Sequence, residues 1–230
     1  MNIITHLLRL PAICTLCNQY HQGRLAVCVD CCQLIQPLGP ACRYCALPLP
    51  DDGFLVCGAC CKKRPILDTV ITAYRFEEPL RSLLHEFKYH EGLYLTSFLA
   101  RLMLNHHLID IRDTQCLIPV PLHPKRLKQR GFNQAALLAK HLARTLRIPY
   151  DHTLCQKIIN TPPQAELNAT QRQRNLRHAF QARAIPYQHV TLVDDLLTTG
   201  STANELARTL KKQGAKQVDL WCCARAVLDH

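Results

Sequence analysis

Apolar residues recur along this chain with two periods, and the changes of period mark out its elements. Leu80, Leu83, Leu84 and Phe87 keep the i, i+3, i+4, i+7 spacing of one helix face, and Pro79 just before them suits a first helical turn. Leu95, Phe98, Leu99, Leu102 and Met103 repeat that spacing. Residues 133–146 (NQAALLAKHLARTL) repeat it again, with Leu137, Leu138 and Leu142 turned inward and Asn133 placed as an N-cap. Between these helices, 66–76 (ILDTVITAYRF) reads as extended and 116–120 (CLIPV) as a short buried strand. Residues 189–193, 202–213 and 217–223 read as strand, helix and strand, with Gly214 positioned to end the helix. Strands alternating with helices predict an α/β domain built on a parallel sheet.

Ahead of residue 65 neither period holds, and cysteines take over the pattern. They fall in four pairs: Cys14/Cys17, Cys28/Cys31, Cys42/Cys45 and Cys57/Cys60. The spacing C-x2-C-x10-C-x2-C is followed by C-x2-C-x11-C-x2-C, a tandem repeat. C-x2-C brings two sulfurs to one tight turn, and four thiolates close a tetrahedral shell around Zn2+. Two complete sets predict two structural zinc ribbons, with metal binding supplying folding energy that such short units cannot draw from a core. A single filled site remains the alternative. Cys32 and Cys61 extend two of the pairs to doublets, and the first cysteine of each doublet preserves the x2 spacing. Cys116, Cys155, Cys222 and Cys223 stand in apolar contexts and read as core. A zinc module of this kind is also a candidate docking surface for a protein partner.

Composition adds compartment and charge. The chain has 230 residues, 48% of them hydrophobic, enough for one ordinary domain and a small one. The expected division is 1–64 for the cysteine module and 65–230 for the α/β domain. No apolar run is long enough to span a membrane, and Arg9 and Pro11 interrupt the N-terminal apolar stretch, so a cytoplasmic protein without membrane insertion is expected. There, 14 cysteines point to metal ligation rather than to disulfides. The formal charge of +11 is concentrated in residues 120–185, where twelve Lys and Arg stand against two acids. One cationic cluster, Lys125, Arg126, Lys128 and Arg130, lies in PLHPKRLKQRGFNQ, which reads as a loop after the 116–120 strand. The other, Arg172, Arg174 and Arg177, lies in 159–180, which reads either as a lid over a site or as a surface excursion. Such a segment suits a polyanion.

The stretch with the most chemistry is HVTLVDDLLTTGST at 189–202. An apolar strand runs into Asp194 and Asp195, and then into Thr198, Thr199, Gly200, Ser201 and Thr202 at the start of a helix. Hydroxyls, a conformationally free glycine and unpaired N–H groups at a helix N-terminus favour a phosphate. Two acids beside them favour sugar hydroxyls or a metal. Together they describe a ribose 5-phosphate.

This loop resembles the phosphoribosyl pyrophosphate (PRPP) loop of type I phosphoribosyltransferases. Four CxxC pairs, then YRFEEPLRSLLHEFKYHEG, PVPLHPKRLKQRGFNQA, TPPQAELNATQRQRNLRHAF and VDDLLTTGST, resemble in that order the ComF family, including its GntX-like members. The resemblance implies a phosphoribosyltransferase-like domain behind a zinc module, and a role with incoming single-stranded DNA in natural transformation. It implies that Asp194 and Asp195 hold the ribose hydroxyls and that residues 198–202 hold the 5′-phosphate. Arg126 and Arg130 would contact diphosphate or nucleic acid.

Two functions fit. One is a transferase using Mg2+ and PRPP, with Asp194 and Asp195 as its catalytic acids and an acceptor the sequence does not name. The other is a DNA-handling protein that binds PRPP. A single diphosphate needs only a few cations, so the excess over 120–185 favours the second, with Lys125, Arg126, Lys128, Arg130, Arg172, Arg174 and Arg177 meeting the DNA backbone. Aromatics are sparse there, so binding without sequence preference is expected.

Overall fold

The computed structural model describes residues 11–23, 25–89, 92–105, 111, 113–160 and 178–227. Arg172, Arg174 and Arg177, and most of the expected lid, lie outside the described residues.

The fold is α/β around a parallel sheet. Its edge is formed by β3 (Val70–Ile71) and β4 (Tyr74–Arg75), both paired parallel to β9 (Gln217–Arg225). β9 pairs with β8 (His189–Leu197), and β8 with β5 (Cys116–Pro119), all parallel. The helices α3 (Leu80–Tyr89), α4 (Thr96–Leu104) and α6 (Gln134–Leu146) cover one face and α7 (Ser201–Lys212) the other. Period-two alternation divides the strands between them. Val193, Trp221 and Cys223 join the core with Leu84, Phe98 and Leu138, while Leu192, Leu220 and Cys222 join the core with Leu206 and Leu210. Every apolar stripe residue expected on α3 and α4 is buried, and on α6 Leu138 and Leu142 are buried while Leu137 is only partly so. No described helix is long and apolar enough to cross a membrane.

Three elements differ from the sequence expectation. β8 does not stop before the acids. It continues through Asp194 and Asp195 to Leu197, because β9 also runs on and pairs Leu197 with Arg225. The cationic stretch is not a loop but a helix, α5 (Pro124–Arg130). Pro124 stands in its first turn, His123 caps it by accepting from the Lys125 N–H at 3.2 Å, and Gly131 ends it at φ 79°. The flanks of the expected lid pair with each other as an antiparallel ribbon, β6 (Cys155–Lys157) with β7 (Phe180–Ala182).

The cysteine repeat is visible in the backbone. Each second pair opens a short helix, α1 (Val29–Gln33) behind Cys28 and α2 (Gly58–Lys62) behind Cys57. Each first pair sits on a turn inside a small antiparallel pairing: β1 (Ala12–Ile13) with β2 (Tyr20–His21), and Ala41 with Pro48. The residue after each first pair, Asn18 or Ala46, has a left-handed backbone with φ of 56° and 53°.

Connectivity locates a site. From β5 the chain passes through α6 to Tyr150, which bridges in parallel to Leu117 on the outer side of β5. From β8 it passes through α7 to β9, on the opposite side. Strand order therefore reverses between β5 and β8, and a crevice opens at their carboxyl ends, where ligands bind in open α/β sheets.

Candidate functional site

The crevice is a cleft of about 230 Å³ lined by Val120, Pro121, Asp194 and Asp195 from the strand ends, by Thr202 from the start of α7, and by Arg126, Arg130 and Lys157. Asp194 and Thr202 also border a concavity of about 40 Å³ formed by the hydroxyl loop itself. Gly200 turns that loop with φ 73°, and Thr199 Oγ1 lies 3.0 Å from Ser201 Oγ. The Asn204 amide donates to the Gly200 carbonyl at 3.0 Å, holding the loop over the start of α7. Hydroxyl loop, acid pair and cations thus lie in a row along one crevice.

The two acids are not alike. Asp195 is 6% exposed, and its Oδ2 lies 2.7 Å from Lys88 Nζ. Asp195 is therefore buried against Lys88 and not open to solvent. Burial opposes the charge of Lys88, but the Asp195 carboxylate outweighs it and holds the ammonium above its ordinary pKa. Asp194 is partly exposed, and its Oδ1 accepts from the Asp195 N–H at 3.0 Å. Burial, and then the charge of Asp195, push its carboxyl well above the usual carboxylate range.

Helix α5 sorts the expected cations. Arg126 and Arg130, one turn apart, face the cleft, while Lys125 and Lys128 are exposed away from it. Arg130 is placed by Gln134, which accepts from Nη1 at 3.4 Å, and by Tyr89, whose hydroxyl lies 3.3 Å from Nη2 and whose ring lies beneath the guanidinium. Gln134 also donates to the Lys88 carbonyl at 3.2 Å, so the end of α3 and the start of α6 are tied together at the cleft. Lys157 enters from β6. Burial, and then the charge of Arg126, lower its pKa to about 8. Arg126, Arg130 and Lys157 together make this side of the cleft cationic, which favours an anionic ligand.

Lys88, Tyr89, Gln134 and Lys157 were missed in the sequence, though three carried a signal. Lys88 follows Leu84 by four residues, on the buried stripe of α3. Gln134 heads the buried series that continues at Leu138 and Leu142. Lys157 shares the inward side of its strand with Cys155. A polar residue at an inward position needs a buried partner.

Each cysteine set converges. The Sγ atoms of Cys14, Cys17, Cys28 and Cys31 lie within 4.8 Å of one another, as do those of Cys42, Cys45, Cys57 and Cys60. Cys17 and Cys28 Sγ are 3.9 Å apart and Cys45 and Cys57 Sγ 3.6 Å. A tetrahedral shell with Zn–S bonds of about 2.3 Å has edges of about 3.8 Å, so both sets fit zinc. Backbone N–H groups point at the sulfurs, as Cys28 N does to Cys14 Sγ at 3.4 Å. The second set touches the crevice through Arg225. Its Nε donates to the Cys45 carbonyl at 2.9 Å and its Nη1 to the carbonyls of Leu197 and Thr198, where the hydroxyl loop begins.

No protein-family model matches the chain. Individual proteins do. DNA utilization protein YhgH of Salmonella typhimurium is 34% identical over 232 residues, 96% of this chain and all of that one. Competence protein F of Haemophilus influenzae is 34% identical over 219 residues, 90% of this chain and 93% of its own. Competence protein ComFC of Bacillus subtilis is 27% identical over 198 residues, 82% and 79% of the two chains. Among solved structures, TT1426 of Thermus thermophilus aligns over 63% of this chain and 86% of its own at 14% identity and a TM-score of 0.34. With identity of this degree running end to end, and with both cysteine clusters assembled, the chain belongs to the ComF family of competence and DNA utilization proteins.

Proposed function

We propose that this protein binds PRPP in the crevice between β5 and β8 and handles single-stranded DNA in a competence-related role. The observation that carries the reading is the linear order of groups along one switch-point crevice. The concavity at residues 198–202 takes the 5′-phosphate. Asp194 and Asp195 meet the ribose hydroxyls. Arg126, Arg130 and Lys157 meet the diphosphate. Asp194, the partly exposed carboxyl at the cleft, would hold Mg2+ together with the diphosphate, since that ion binds through one or two carboxylates and substrate phosphates. The ion would supply charge neutralisation there. The names of the relatives, competence protein F and DNA utilization protein, support the DNA-related part of the reading.

Ser201 offers a clean test, because it is the first residue of α7. An acid there suits the helix N-terminus and preserves the fold, yet repels a phosphate. Ser201→Asp should melt at or slightly above the wild-type temperature. Mg·PRPP at a hundredfold its Kd should stabilise the wild type by about 2.7 kcal/mol. The variant should show no such shift, and a wild-type shift in it would place the phosphate elsewhere.

A further inference from the structure

A second cavity, of about 670 Å³, opens beside the cleft, and no step of the reading above uses it. Helix α5 is the partition between the two. Arg126 and Arg130 face the cleft, whereas His123, Pro124 and Leu127 face the cavity. Pro121, Leu122, Asn133 and Lys157 border both. The row of groups therefore continues past the cations into an apolar chamber of the size that small ligands occupy.

The walls specify the guest. Pro119, Pro121 and Pro124 contribute rigid apolar rings, and His123 and His152 contribute imidazoles. The His152 ring is stacked on Tyr150, with centroids 5.7 Å apart and planes inclined by 15°. Asn133 spends both ends of its amide on the protein, accepting from the Ala135 N–H and donating to the Val120 carbonyl, so it has little capacity left to read a ligand edge. Leu127 and Ile158, 41% and 51% exposed, stand at the cavity as open apolar surface. A planar heteroaromatic ring fits these walls, and the one ammonium shared with the cleft, Lys157, fits a phosphate joined to that ring.

We propose that this cavity takes one unstacked nucleobase whose phosphate lies at Lys157 in the adjoining cleft. The inference rests on the nucleic-acid reading above and gives it a base-binding component that the count of aromatic residues in the sequence does not show. With apolar walls and few free donors or acceptors, the cavity holds any base by contact and stacking, without selecting a sequence.

The test uses the full chain and three probes: a fluorescent deoxythymidine oligonucleotide, an abasic strand of the same length, and thymidine monophosphate as competitor. Wild type should bind the thymidine strand about tenfold more tightly than the abasic one, within what stacking a single base contributes. Ala136→Phe fills the cavity from α6, and His152→Ala removes an exposed ring from its wall. Ala136→Phe should bring thymidine affinity down to the abasic value while abasic affinity and the Mg·PRPP melting shift stay unchanged. His152→Ala should remove part of the same difference, and it decides the matter if Ala136→Phe does not fold. Equal wild-type affinity for the two strands would overturn the cavity inference and leave the DNA reading standing. Unchanged thymidine preference in the folded variants would do the same. Binding of the monophosphate, sensitive to Ala136→Phe but without binding of either strand, would support the cavity with a free nucleotide as its source and overturn the DNA reading. Binding of none of the three would overturn both.

Discussion

Asp194 stands at the cleft with its carboxyl raised well above the ordinary range, first by burial and then by the charge of Asp195. A carboxyl raised in the folded state weakens the fold at pH values above its unfolded pKa, because ionising it there costs more in the fold than in the open chain. That cost disappears as pH falls through the folded pKa. The ligand-free protein should therefore gain from this group in melting temperature as pH is lowered from neutral into the mildly acidic range. Asp194→Asn should melt higher than wild type at neutral pH, flatten that gain and weaken Mg·PRPP binding. A pH series of melts on both proteins checks it, and a lower neutral melting temperature in the variant would show that the charge is not costly there. Asp195 behaves differently. Replacing it with Ala leaves the half-buried Lys88 ammonium without its carboxylate, at a cost of up to about 3 kcal/mol. Ala substitution of both acids would thus confuse binding with stability, which Ser201→Asp avoids.

Helix α5 divides a run of four cations between two faces. In a loop Lys125, Arg126, Lys128 and Arg130 would act together. On a helix, Arg126 and Arg130 share the cleft side and Lys125 and Lys128 the solvent side. Reversing Lys125 and Lys128 to Glu should leave Mg·PRPP binding intact while weakening single-stranded DNA of any sequence. Each lost phosphate contact should flatten the log–log salt dependence by about 0.7. Reversing Arg126 and Arg130 should abolish PRPP binding. Titrations of both ligands on both double variants, over a range of salt, separate the faces. An unchanged DNA salt slope in the Lys pair would remove that face from the DNA interface. The sequence hid this helix because a proline at its head and a glycine at its end resemble loop chemistry, and only Leu127 is apolar between them.

The cysteine segment is built into the rest of the protein. Cys14, Val27, Cys31 and Ile35 share a core with Phe98 and Trp221, and Leu38 and Ala46 share the other with Leu206 and Leu220. Arg225 makes the shortest connection to the crevice, from the Cys45 carbonyl to the carbonyls at the start of the hydroxyl loop. Just past the segment, Asn204 accepts from the N–H groups of Ile66 and Leu67 at 2.8 and 3.2 Å while it holds Gly200. Metal analysis of the purified protein should give about two zinc equivalents, one for each four-thiolate shell. Stripping the metal with a chelator should lower the melting temperature and weaken Mg·PRPP binding together. Arg225→Gln should weaken PRPP binding with zinc content unchanged, since its carbonyl contacts lie outside the metal shell. Loss of zinc from that variant would instead make Arg225 a support of the metal site alone.

What the sequence determined by itself is what contiguous residues decide. Two cysteines on one turn, repeated at a fixed interval, define a half-shell whatever surrounds them, and both shells assemble from the expected eight residues. The loop at 198–202 is local in the same way: Gly200 takes the left-handed backbone between two threonines and the Ser201 and Thr202 hydroxyls that open the next helix. Helix stripes and the parallel sheet were legible because period and alternation record burial directly. Tertiary structure alone decided that Asp195 would be buried against Lys88 while Asp194 stays partly exposed. Lys88, 107 positions before its partner Asp195, meets it only once α3 has packed across the sheet. Gln134, Lys157 and Arg225 likewise acquire their roles from neighbours distant in sequence. The strand ends followed the same rule. Asp194 and Asp195 look like a terminus in isolation, but hydrogen bonding to β9 outweighs the low strand propensity of two acids and carries β8 on to Leu197.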